Sequence, residues 1–267
     1  MHPLIEFVFL GESVVLKTYS LFMGIAILVG TLLSWLALRG KVKRPLLFLL
    51  GLALSFLVGA RLLNFLVNYQ TYQNTELSLF TLRAVGFSFY GGILVAVLVL
   101  LILHYLKKIN IWEVADVLIL PFGISFFIMR IGCFLNGCCF GEITACPLGV
   151  SFPSEMIDAL SSSPIFALLG PGLLKVHPTQ LYEGFAALIG VVVFYLLRKS
   201  FKVNGLMTVF YGIYLTSVRW IVLYFRHLEY KDWVVDYFYP GLYFSLIVIG
   251  IWVCIYLKKK DKVKNIG

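Results

Sequence analysis

The sequence predicts an all-α polytopic membrane protein with seven transmembrane helices, its N-terminus outside and its C-terminus in the cytoplasm. Composition is the first observation behind this. Of 267 residues, 61% are hydrophobic and 13% charged, against about 45–50% and about 25% in soluble domains. The second is a series of seven apolar runs, near 18–38, 45–68, 86–106, 114–135, 179–197, 205–225 and 240–257. A spanning helix needs roughly 20 such residues. The third is charge placement: 14 of the 22 basic residues follow odd-numbered runs. Cytoplasmic segments attract Lys and Arg, so these ends face the cytoplasm. The same clusters account for the net charge of +9 without a nucleic-acid partner.

Each element follows from its residues. Positions 1–17 lack the basic start and small-residue cleavage site of a secretory signal. Run one opens on Tyr19 and is followed by Arg39, Lys41, Lys43 and Arg44; run two carries Arg61. Run three contains Tyr90, Gly91 and Gly92, a glycine pair that suits a close helix contact. Run four ends in Arg130 and a cluster of cysteines. The connection at about 136–178, rich in Gly, Pro and Ser, falls outside the cytoplasm, and loops of that length are often functional. Run five opens on HPTQLYE, run six carries Arg219, and five lysines follow run seven. With no linker or repeat, residues 1–267 read as one integral membrane domain.

Arg61, Arg130 and Arg219 all lie in the outer halves of their runs. An ionisable residue inside a span is costly and points to function. A single one could snorkel to the headgroups or pair with a carboxylate; three at similar depth point to a shared anion. His177, Gln180, Tyr182 and Glu183 come to the same level, Gln180 and Glu183 on one helix face. The planar guanidinium fork suits phosphate, and the phosphate within reach of a membrane helix belongs to a phospholipid. The residues alone therefore predict an outward polar pocket for a lipid phosphate and do not disclose a reaction.

At these residues a resemblance enters. MRIGCFLNGCCFGE (129–142) resembles the signature of the bacterial prolipoprotein diacylglyceryl transferases, approximately G-R-I-G-N-F-x-N-G-E-x-x-G. HPTQLYE (177–183), FSFYGGILVA (87–96) and RWIVLYFR (219–226) are similar to further motifs of that family, and TYSLFMG (18–24) and GARLLNF (59–65) match more loosely. The resemblance implies transfer of diacylglycerol from phosphatidylglycerol to the lipobox cysteine of a preprolipoprotein in the bacterial cytoplasmic membrane, with no metal or soluble cofactor. It also implies phosphate clamps at Arg130 and Arg219, and a pocket that includes Tyr19, Arg61, Gly91, Gly92, Asn136, Gly137, Gly141, Gln180 and Arg226. A single chain of seven helices is expected to act as a monomer.

The sequence departs from the family at four places. Tyr90 stands where the pattern has His, Cys133 where it has Asn, and Cys138 and Leu223 where it has Glu. Tyr, with a pKa near 10, is a poor base at neutral pH, so Tyr90 is expected in the catalytic site as a hydroxyl that orients the thiol or phosphate, and His177 and Glu183 are substitute candidates for the thiol proton or, alternatively, braces of helix five. The alternatives to transfer to a lipobox cysteine are a paralogue acting on another acceptor and a non-catalytic lipid-binding or lipid-translocating protein. Cys138, Cys139 and Cys146 lie where disulfides persist; their spacing lacks the pairing typical of zinc. A disulfide from Cys138 or Cys139 to Cys146 is expected, with unpaired buried thiols and a redox pair as the alternatives.

Overall fold

The structure is a computed structural model that describes residues 4–9, 12–67, 89–106, 108–151, 175–226 and 232–266. An antiparallel hairpin of β1 (Leu4–Phe9) and β2 (Glu12–Lys17), in register from Leu4↔Lys17 to Phe9↔Glu12, precedes the helices. The all-α expectation did not include it. The helices are α1 (Thr18–Leu38), α2 (Pro45–Val67), α3 (Phe89–Tyr105), α4 (Ile111–Asn136), α5 (Thr179–Leu196), α6 (Leu206–Leu223) and α7 (Tyr239–Ile266). Bilayer hydrocarbon offers no partner to a free N–H or C=O, so an apolar run crossing it must close its hydrogen bonds within the helix.

Among the described residues, six helices are long and apolar enough to cross a membrane: α1, α2, α4, α5, α6 and the stretch Val234–Val263 that contains α7. The remaining helix, α3, has 17 residues. At 1.5 Å per residue that is about 26 Å, slightly less than the ~30 Å hydrocarbon layer; the start of its apolar run lies outside the described residues. Helix α7 continues beyond the expected end at 257 through the lysines. Cations favour a helix C-terminus, and beyond the apolar run water solvates them. Large apolar side chains such as Leu28, Leu54 and Ile221 are exposed, as lipid-facing positions must be.

The chain forms two compact units, one of residues 1–30 and 119–267, the other of residues 31–118. In the first, Ile119 of α4, Val191 of α5 and Tyr211 of α6 form a buried cluster flanked by Phe194 and Tyr214. The Tyr211 hydroxyl donates to the Ala187 carbonyl (3.0 Å) and that of Tyr214 to Ala186 (2.8 Å). Both phenols thereby satisfy their polar tips on the α5 backbone.

In the second unit α2 packs on α3 through glycines. A Cβ at Gly59 would stand 2.4 Å from the Gly91 carbonyl oxygen, and one at Gly91 would stand 2.4 Å from that of Gly59. Gly92 faces the Phe56 ring in the same way. The close-contact reading of Gly91-Gly92 fits this packing. Gly59→Ala is expected to cost about 1–3 kcal/mol by overpacking, read as a lower unfolding midpoint in detergent; an unchanged midpoint would contradict the contact.

Candidate functional site

Helix α4 stops at Asn136 because Gly137 turns left-handed, at φ 71°. Its N–H donates to Phe134 O (3.2 Å) and that of Cys138 to Cys133 O (3.1 Å), so the last carbonyls are capped. The chain then enters a clasp of backbone hydrogen bonds. Gly141 N–H donates to His177 O (2.8 Å), His177 N–H to Glu142 O (3.0 Å) and Glu142 N–H to Phe225 O (2.9 Å). A Cβ at Gly141 would meet Phe225 O at 2.0 Å, which is why the motif needs glycine there. The first turn of α5 closes on the same loop: Thr179 Oγ1 donates to Cys139 O (2.8 Å) and Gln180 Nε2 to Cys138 O (2.6 Å). Three separate sequence motifs thus form one knot.

That knot fixes Glu183. Its carboxylate is 4% exposed and takes Arg130 Nη2 on Oε2 (2.5 Å), with Arg219 Nη1 and Arg226 Nη1 (3.6 Å for the latter) on Oε1. Three guanidiniums against one carboxylate leave this group of side chains at a net charge of +2. The Nε atoms of Arg130 and Arg226 are buried without a hydrogen-bond partner. Beside them lies a cavity of about 300 Å³ lined by Arg130, Glu183, Arg219, Thr216, Tyr243 and the apolar Phe126, Leu215, Val218 and Leu246. Small, mostly apolar pockets with a few converging polar groups are typical ligand sites. Arg219 is the most open of the three arginines, its side chain 37% exposed against 11% for Arg130 and 14% for Arg226. Of the three, Arg219 is the most accessible to an anion entering the cavity.

The structure brings together Arg130, Glu183, Arg219 and Arg226, and sets Asn136, Gly137, Gly141, His177 and Gln180 in the scaffold around them. The His177 ring sits 5.1 Å from the Phe225 ring and its Nδ1 is 3.1 Å from the Tyr182 hydroxyl. Such contacts are those of a brace. Tyr19 lies half-buried in the first turn of α1. Arg61, Gly91 and Gly92 belong to the second unit, and Arg61 is buried there. The side chain of Tyr90 and residues 152–174 of the long loop lie outside the described residues. Leu223, where the family pattern has Glu, is buried. Sequence reasoning missed Thr179 and Tyr243. The latter opens the seventh run at the depth of the arginines, which was the available signal.

The disulfide expectation is corrected. All five cysteines are free. Cys138 and Cys139 turn back onto the end of α4, where Cys138 Sγ contacts Cys133 O (3.6 Å), while Cys146 is held in its own turn by an N–H bond to Thr144 Oγ1 (3.1 Å). Hydrogen bonds from the Cys133 and Cys138 thiols, helped by the charges of Arg226 and Arg130, hold the exposed Cys139 thiol below its ordinary pKa. The thiolate is the reactive form. Iodoacetamide at pH 6 is therefore expected to modify Cys139 ahead of the buried Cys133 and Cys254, as read by peptide mass mapping. Labelling of all three at equal rates would contradict this environment.

A family model described as prolipoprotein diacylglyceryl transferase matches residues 6–258. A protein of Phenylobacterium zucineum is 30% identical over 222 residues, covering 73% of this chain and 74% of its own. One of Mannheimia succiniciproducens is 30% identical over 278 residues, 91% of this chain and 90% of its own. One of Haemophilus influenzae is 29% identical over 255 residues, 87% and 81%. All three are named phosphatidylglycerol–prolipoprotein diacylglyceryl transferase.

Proposed function

The chain belongs to the prolipoprotein diacylglyceryl transferase family, and we propose that it transfers the diacylglyceryl group of phosphatidylglycerol to the lipobox cysteine thiol of preprolipoproteins. It is a transferase of lipoprotein biosynthesis and a multi-pass membrane protein. Its place in this reading is the bacterial cytoplasmic membrane, crossed seven times with α3 as the short span. The N-terminus and the 136–178 loop lie outside, and the chain acts as one domain and as a monomer.

In the step itself a C–S bond forms between the cysteine sulfur and the glyceryl carbon as the C–O bond to phosphate breaks. The thiol proton passes to the departing phosphate or to water, and glycerol phosphate leaves with the electron pair of the broken C–O bond. Lipid and thiol balance this reaction without a metal or cofactor. Charge builds on the departing phosphate, so donors already in place favour the transition state over bound substrate. The observation that carries the reading is the cluster of Arg130, Arg219 and Arg226 around the Glu183 carboxylate, of which Arg130, Arg219 and Glu183 line the cavity. In this reading Arg219 and Arg130 hold the phosphate, Glu183 positions the arginines, and the apolar wall takes the lipid chain. Each oxygen of Glu183 lies within ion-pair distance of a guanidinium, and His177 faces Tyr182 and Phe225, so the two act as braces more naturally than as bases. In this reading Tyr19 belongs to the substrate site; Arg61, Gly91 and Gly92 as substrate-binding residues and Tyr90 as a catalytic one rest on the family resemblance alone.

The test is mass spectrometry of a synthetic lipobox peptide incubated with purified protein and phosphatidylglycerol. A diacylglyceryl mass gain on the peptide cysteine is expected. No gain under conditions in which an authentic family member works would overturn the proposal.

A further inference from the structure

A second cavity lies wholly within the other unit and shares no lining residue with the Glu183 cavity. It has a volume of about 950 Å³ and runs between α2 and α3. Its wall is apolar along Phe48, Leu52 and Leu103, and Lys43, Arg44 and Lys108 stand at one end. No carboxylate lines it. The neighbouring acid, Glu113, is taken by Lys41, and no ion pair among the described residues involves Lys43, Arg44 or Lys108. These cations lie where α2 begins at Pro45 and just beyond where α3 ends at Tyr105, so they stand at the boundary of the apolar layer. Gly51, with nothing within 4 Å of where its Cβ would be, leaves the groove open at mid-wall.

An apolar trough topped by three uncompensated cations is complementary to a molecule with a negative head and hydrocarbon tails. We propose that this groove binds one anionic glycerophospholipid, its phosphate on Lys43, Arg44 and Lys108 and an acyl chain against Phe48, Leu52 and Leu103. Basic pockets between transmembrane helices bind anionic lipid headgroups in this way, and each Lys or Arg near a membrane surface contributes about 1 kcal/mol of attraction. The charge explains selection of an anionic over a zwitterionic head. The trough explains why a lipid, and not a bare phosphate, is held.

The test is native mass spectrometry of the full chain in detergent, titrated separately with phosphatidylglycerol and phosphatidylcholine. Two variants are compared with wild type: Lys43→Gln/Arg44→Gln/Lys108→Gln, which removes the charge, and Gly51→Phe, which fills the trough and keeps the charge. Each variant is first shown to elute as one species with a wild-type unfolding midpoint. The expected result is that one equivalent of phosphatidylglycerol binds on the order of a hundredfold more weakly in the charge variant, ~fivefold for each charge lost, and is also lost in Gly51→Phe. Retention by either variant overturns the proposal. So does equal binding of phosphatidylcholine at that equivalent, or displacement of the lipid by inorganic phosphate alone.

Discussion

Glu183→Gln is expected to lower stability by about 3–5 kcal/mol, the cost of removing one partner from a buried ion pair. The carboxylate is 4% exposed and is engaged by three arginines, two of them largely buried. Without it those guanidiniums face one another with no counter-charge. The thermal midpoint in detergent should fall by several degrees and transfer activity should collapse with it. The double variant Glu183→Gln/Arg226→Gln should recover part of the loss, because it removes one orphaned charge. A double-mutant cycle reads that recovery directly. If Glu183→Gln keeps the wild-type midpoint, the carboxylate does not hold the cluster together.

Arg219→Ala should behave in the opposite way. Its side chain is more than one-third exposed, and Glu183 keeps Arg130 and Arg226 when it is gone. Stability should therefore stay near wild type, within about 1 kcal/mol, as for exposed ion pairs. The turnover number should fall about 10²–10³-fold, the usual effect of removing one donor aimed at developing charge. Arg219→Lys should not restore it, since an ammonium cannot offer two parallel hydrogen bonds. A rise in KM with unchanged turnover would mean that Arg219 binds the lipid equally before and during reaction.

How far the sequence disclosed this arrangement depends on the kind of signal each part carries. Helix bounds were readable because apolar runs have hard edges: 18–38 coincides with α1, and the run from 45 starts where α2 starts, at Pro45. The hairpin at Leu4–Lys17 was not, because it has no long run and its pairing is local. The arginines announced themselves as charges in apolar context. That Arg130, Arg219 and Arg226 share one carboxylate was not readable, because it depends on how α4, α5 and the end of α6 meet, and Gly141 and Gln180 set that meeting through backbone contacts. Glu183 therefore read as either a base or a brace, and its contacts with three guanidiniums support the brace. The disulfide was inferred from compartment and spacing alone. Spacing does not show that the turn at Gly137 and the positive φ of Cys139 fold the adjacent cysteines back toward Cys133.

In the proposed reaction the arginine cluster holds the phosphate of the departing group. The most direct measurement of this role is inhibition of the transfer reaction by free glycerol phosphate, compared between wild type and Arg219→Ala at matched lipid. Competitive inhibition is expected in wild type, with an inhibition constant at least ~tenfold weaker in the variant, as for loss of a charge-assisted hydrogen bond. Equal inhibition constants in the two proteins would contradict this role and would place the phosphate elsewhere.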